Sequence, residues 1–207
     1  MYLQRSAVAL LILLSSLPVC GGEFLENAAN SMGRVKTVQS SFRQEKYLKN
    51  FAFPLKISGV MCADQVKNRF AWRVEKPMIS NAVITDGKLT AFDGESGKTQ
   101  VIALDRNPAL KMLAGTLQIL FAGDVKTMLK DFSAVKECSP LQLIPRQNSV
   151  FSNFIKSITF TFSHDLQYIK VIEMVEKSGD RTRIEFFNTS INTPIKDSLW
   201  QADYQGR

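Results

Sequence analysis

The chain has 207 residues, of which 45% are hydrophobic and 22% charged, and its 26 Lys and Arg against 19 Asp and Glu give a formal charge of +7. The basic residues are scattered among strand-like and turn-like segments with no run, which argues against nucleic acid and for a general attraction to anionic membrane surfaces or acidic partners. A single histidine excludes a multi-histidine metal site.

The first 22 residues carry Arg5, an apolar stretch from Ala7 to Leu14, then Ser15, Ser16 and Pro18, then the small pair Gly21 and Gly22. That is the order of a secretory leader, too short to span a bilayer as a stable helix. Cleavage is expected near Gly21 to Glu23, leaving a single exported domain, 23 to 207, of about 185 residues. Cys20 has two readings, a lipid acceptor or a residue discarded with the leader, and the second is favoured because a lipid-acceptor cysteine takes a small residue just before it and here Pro18 and Val19 precede it.

Residues 24 to 38 place Phe24, Leu25, Ala28, Ala29, Met32, Val35 and Val38 at helical spacing, which predicts an amphipathic helix weakened by Gly33. From Ser41 the period changes to two. SFRQEKYL, LKISGVMC, RFAWRV, NAVITDG, KLTAFDG and TQVIALD read as successive strands, with Asp86-Gly87 and Asp93-Gly94 as hairpin signals. In RFAWRVEKP, alternation sends Phe70, Trp72 and Val74 to one side and Arg69, Ala71, Arg73 and Glu75 to the other, a half-buried strand with two large rings on one face.

Beyond it, Leu110, Met112, Leu113, Leu117, Leu120 and Phe121 form a helical stripe, Gly123 stops it, and Asp124 can cap a second short helix through Val125, Met128, Leu129 and Phe132. Strands resume with KECSPLQLIPR, FIKSITFTF, YIKVIEMVEK and TRIEFFNTSI, the last two joined by the turn SGDR. The expected fold is α+β and mainly antiparallel: an incomplete, unclosed β-barrel of about ten to eleven strands with a helical lid. Such a curled sheet has an interior that its own side chains need not fill.

Catalytic patterns are missing. No G-x-S-x-G, C-x-x-C or P-loop occurs, and His164 sits alone in the turn FTFSHDLQ, where a solvated role suffices. Asp64, Glu75, Asp86, Asp93 and Glu173 offer carboxylates, but spacing selects no pair for glycosidase chemistry. The chain is therefore read as a non-enzyme needing no cofactor and no metal. Whether Cys62 and Cys138 bond is left open. By contrast, 14 Phe and 7 Met against 4 Tyr and 2 Trp supply wide, adaptable apolar surface with few polar handles, suited to flexible hydrocarbon.

The order of motifs adds a family. Phe42-x-Gln44, Gly59, Phe70-x-Trp72, Pro77 and Ile84-x-Asp86-Gly87-Lys88-Leu89 resemble the N-terminal half of the LolA family of periplasmic lipoprotein carriers. Leu143-x-Pro145, Gly179-Asp180, Phe187-Asn188, Asn192-Thr193-Pro194-Ile195 and Asp197-Ser198-Leu199-Trp200 resemble its second half.

The resemblance implies a monomeric periplasmic carrier whose cavity takes the acyl chains of lipoproteins or another lipid from an inner-membrane release complex and passes them to an outer-membrane receptor. Phe42, Phe70, Trp72, Val74, Leu89 and Phe92 would line the cavity, and Leu113, Leu117, Leu120 and Phe121 would form the lid. The family's carriers hold a basic latch residue between the Gly-led strand and the Phe-x-Trp strand. Here that region reads Met61-Cys62-Ala63-Asp64-Gln65-Val66-Lys67-Asn68, with no arginine, and Gln65 or Lys67 can hydrogen-bond to lid carbonyls instead. The alternative is a sensor or scaffold of the same fold that binds a protein partner and carries no lipid.

Overall fold

The computed structural model describes residues 22–106, 115, 121 and 124–203. An N-terminal helix, α1 (Gly22–Met32), leads into six strands: β1 (Thr37–Tyr47), β2 (Leu55–Asp64), β3 (Arg69–Lys76), β4 (Ser80–Thr85), β5 (Lys88–Asp93) and β6 (Lys98–Ala103). A second helix, α2 (Val125–Asp131), precedes β7 (Phe132–Lys136), β8 (Leu141–Pro145), β9 (Ile155–Phe162), β10 (Ile169–Glu176) and β11 (Arg181–Ile191). No helix among the described residues is long and apolar enough to cross a membrane.

The eleven strands form one sheet in the order β6-β5-β4-β3-β2-β1-β11-β10-β9-β8-β7, antiparallel at every pairing. Two meanders meet at β1 and β11, where Phe42 pairs with Phe186 and Tyr47 with Arg181. Strands β6 and β7 remain as two unpaired edges, so the barrel stays open. Phe121, in the stretch between β6 and β7, lies against the concave face, in contact range of Phe70 and Phe186.

Local chemistry explains several element ends. Asp86 and Gly87 both adopt positive φ, 49° and 69°, the pair a two-residue primed turn demands between β4 and β5. The Asp124 carboxylate accepts the Thr127 N–H at 3.0 Å and caps α2 as its sequence predicts. α1 is shorter than the expected 24 to 38. It stops at Met32, the Gly33 N–H closing the last turn on Ala29, and Val35 and Val38 join the sheet core. Phe132, expected in the second helix, ends it and begins β7.

Apolar residues gather in three places. One cluster on the concave face unites Val38, Phe42, Met61, Phe70, Ile84, Phe121 and Phe186. Its neighbour along the same face, joined through Ile172, packs α1 and α2 onto β8, β9 and β10 with Phe24, Met32, Leu141, Leu143 and Phe160. The third lies on the reverse face, where the C-terminal residues Ile195, Leu199, Trp200 and Ala202 cover Cys62, Ala71, Val83 and Phe92.

That last layer corrects the half-buried reading of β3. Ala71 and Arg73 are buried too, at 0% and 5% exposure. The Arg73 guanidinium donates to the Gln201 carbonyl at 2.8 Å, and the Asn81 amide donates to Ala202 at 2.7 Å, strapping the C-terminal segment across the sheet. The segment has no periodicity to announce it as a layer. Cys62 and Cys138 are both free and buried. Burial pushes the Cys62 thiol up to about 12, partly offset by the Arg73 charge, so this sulfur is inert at neutral pH.

Candidate apolar binding site

The site is built by register. In β1, Phe42 lies between Gly59 of β2 and Phe186 of β11, and in β3, Trp72 lies opposite Met61. The two rings lean toward each other over β2 and stack with centroids 3.9 Å apart, tilted by 27°. Phe70 extends the stack, 6.5 Å from Trp72 and 5.4 Å from Phe121. Phe186 closes it edge-on, 6.2 Å from Trp72 and 5.9 Å from Phe121. Such offset and edge-to-face rings favour one another beyond the area they bury.

Of the residues named from sequence, Phe42, Phe70, Trp72, Val74, Leu89 and Phe121 come together in this one cluster. Phe92 does not. It lies on the reverse face beside Val83 and Trp200. The reason is parity: successive strand residues alternate sides, so Leu89 and Phe92, three apart on β5, cannot share a face. Leu113, Leu117 and Leu120 lie outside the described residues. Several members of the face were missed, Met61 and Phe186 among them. The consecutive Phe186 and Phe187 leave the inward ring undecided by pattern, and pairing with Phe42 selects Phe186.

Phe121 is held by a polar contact as well. The Gln65 side-chain amide donates to its carbonyl oxygen at 2.9 Å, and the Gln65 backbone is itself anchored by donating to the Lys36 carbonyl at 2.9 Å. Gln65 therefore occupies the place that sequence left open between Gln65 and Lys67. Lys67 is exposed, and its N–H donates to the Asp64 carboxylate at 3.0 Å.

Asp64 also pairs with Arg69 at 2.9 Å, and the Arg69 guanidinium lies 4.2 Å over the Trp200 ring. Burial disfavours the charged form of Asp64, yet the Lys67 N–H and the Arg69 guanidinium outweigh it and hold this carboxyl below the ordinary 3.8. A lowered folded-state value stabilises above the unfolded value and is lost as pH falls through the folded one. Asp64→Asn is accordingly expected to cost about 1 kcal/mol at pH 7, allowing for solvent screening of the pair. The gap should close below pH 3.8. Urea unfolding at pH 7 and at pH 3 reads this directly, and a gap that ignores pH would refute it.

Two hollows beside Phe121 are small. One of about 160 Å³ lies between Gln65, Arg69, Phe70 and Phe121, and another of about 10 Å³ lies beside Met32, Met61 and Phe121. Ligand clefts are typically on the order of 300–1,000 Å³, so neither of these two hollows holds a long chain as it stands. His164 is exposed in its turn, and among the described residues no group of three or more His, Cys, Asp or Glu is placed to hold a metal ion.

An open antiparallel barrel with an aromatic concave face, along which the helices α1 and α2 pack, is thus the class of protein that fold and site define. The chain belongs to the LolA family: the profile described as outer membrane lipoprotein carrier protein LolA matches residues 33–203. Among solved structures, a LolA superfamily protein from Nitrosomonas europaea aligns with a TM-score of 0.53 at 13% identity, covering 90% of this chain and 99% of that one. A conserved protein from Thermus thermophilus aligns at 0.52 and 8% identity, covering 86% and 90%. MucB aligns at 0.51 and 13% identity, covering 87% of this chain and 62% of that one. At these identities the likeness is one of fold. A search of curated proteins finds no match.

Proposed function

We propose that this protein is an exported carrier that takes the acyl chains of lipoproteins, or of a related lipid, onto its concave face. Residues 1–22 would direct it to the periplasm and be removed. Cargo would be received from an inner-membrane release complex and given up to an outer-membrane receptor, with no covalent chemistry and no cofactor. The observation that carries the reading is Phe121, an apolar ring seated in an aromatic cradle and fastened by one hydrogen bond from Gln65.

The magnitudes suit exchange. Seating Phe121 contributes roughly 1.5–3 kcal/mol by apolar burial and the Gln65 hydrogen bond about 1 kcal/mol net. Each acyl methylene taken out of water gains about 0.8 kcal/mol, so roughly five methylenes offset both. A longer chain wins the face, yet not by a margin that forbids release. Direction then comes from the relative affinities of the donor and the receptor.

Titration with a fluorescent fatty acid tests the reading: saturable uptake is expected. Gln65→Ala should bind about fivefold more tightly, because the latched form that excludes ligand loses about 1 kcal/mol. It should also melt slightly earlier. A variant with unchanged affinity would show that Gln65 does not gate the face. Native mass spectrometry of protein taken from its exporting cell would identify the cargo. A second reading, a sensor or scaffold that binds a protein partner, is favoured by the small size of the two hollows beside Phe121. Absence of any fatty-acid uptake would favour it.

A further inference from the structure

All four exposed Phe and Tyr residues among the described residues lie at one end of the sheet. Tyr47, Phe51 and Phe53 are 41%, 69% and 84% exposed on and after the end of β1, and Phe154 is 69% exposed just before β9. Leu55, the first residue of β2, and Met78 and Val150, in the β3–β4 and β8–β9 connections, stand exposed on the same rim. The turn from β10 to β11 bridges the aromatic loops. The Lys49 N–H donates to Asp180 at 2.9 Å, and the Lys177 N–H donates to the Phe154 carbonyl at 2.8 Å. An apolar patch at one end of a molecule marks a contact surface when so little else on it is aromatic and exposed.

Charge selects the occupant. The segments that carry the exposed apolar residues, 46–56, 76–80 and 146–156, contain Lys46, Lys49, Lys56, Lys76, Arg146 and Lys156 and no carboxylate. Most carboxylates that flank these segments are engaged: Glu45 accepts from Tyr47 and pairs with Lys56 at 3.6 Å, Asp93 accepts from Glu95 and Ser96, Asp131 accepts from Ser149, Glu176 pairs with Lys46 at 3.3 Å, and Asp180 accepts from Lys49. Glu75 and Glu95 also flank the rim, against Lys49, Lys76, Arg146 and Lys156. Aromatic rings interleaved with lysines, on segments free of acids, match the headgroup region of an anionic bilayer, where rings sit at the interface and lysines meet phosphates.

We propose that this rim docks the protein reversibly on anionic lipid surfaces, with Phe51 and Phe53 entering the interface. The docking surface lies apart from the concave face, so it goes beyond the carrier reading and stands or falls separately.

The test is flotation with vesicles. Purified protein should float with phosphatidylethanolamine vesicles containing phosphatidylglycerol, and about tenfold less in Phe51→Ser/Phe53→Ser. Fatty-acid uptake by that double variant should stay within about twofold, since both positions are surface sites away from the cradle. A Phe53→Trp variant guards against misfolding as the cause: the emission of the introduced indole should shift to the blue when those vesicles are added. No flotation, flotation equal on neutral phosphatidylcholine vesicles, or an indole emission that does not move would each overturn the proposal. The first would leave a protein partner as the occupant of the rim.

Discussion

Gly59→Ala is expected to lower the unfolding free energy by about 3 kcal/mol or more, a large part of a margin of roughly 5–15 kcal/mol. A Cβ added at Gly59 would collide with the backbone carbonyl of Arg73 on the neighbouring strand and approach the Val74 Cα at 3.0 Å. Backbone cannot swing aside as a side-chain end can, so β2 and β3 would have to part where the register already shifts between Ser58 and Gly59. That pairing carries Trp72 and holds the strand that presents Arg73 to the C-terminal strap, so the loss would spread to both faces. Gly87→Ala is the control. Its Cβ meets nothing within 4 Å, and only the positive φ of 69° resists it, for about 1 kcal/mol. Denaturant unfolding of the two variants side by side measures the difference, and equal losses would contradict a steric origin at Gly59.

On the carrier proposal, Trp72→Asp should abolish saturable fatty-acid uptake, weakening it at least about a hundredfold, because the variant sets a carboxylate on the face proposed for the hydrocarbon. The ring it removes is the one stacked 3.9 Å from Phe42 and packed edge-on to Phe186, so stability falls as well. Trp72→Leu separates the two effects. It keeps the face apolar while losing the stack, and is expected to bind within about tenfold of the unchanged protein despite a loss of roughly 2–3 kcal/mol in stability. Trp72→Asp that folds and still takes up fatty acid would move the binding site off the concave face altogether.

Both results turn on strand parity and register, which were unequally legible in the amino-acid order. Alternation in Phe70, Trp72 and Val74 predicts a shared face without any partner strand, and the three do share one. The same rule, applied to Leu89 and Phe92, separates them. It is a local rule, and grouping them by apolar character overlooked it. Phe186 is different in kind. Its adjacent Phe187 makes the pattern ambiguous, and the choice is made by pairing with Phe42, 144 positions away. The latch was narrowed to Gln65 or Lys67, both in or beside a turn where alternation does not apply. Gln65 is selected because its backbone bonds to Lys36 and aims the amide at Phe121.

What the amino-acid order determined by itself was local: strands from their period of two, the primed turn at Asp86-Gly87 from the need for positive φ, and the start of α2 from the Asp124 cap. Each depends on interactions within a few residues. Tertiary structure alone decided the pairing of β1 with β11, the burial of the second face of β3 under a segment with no periodicity, and the seating of Phe121 between Phe70 and Phe186. Those outcomes depend on which apolar surfaces find each other once the chain has closed long loops, and no short stretch of it encodes the partner.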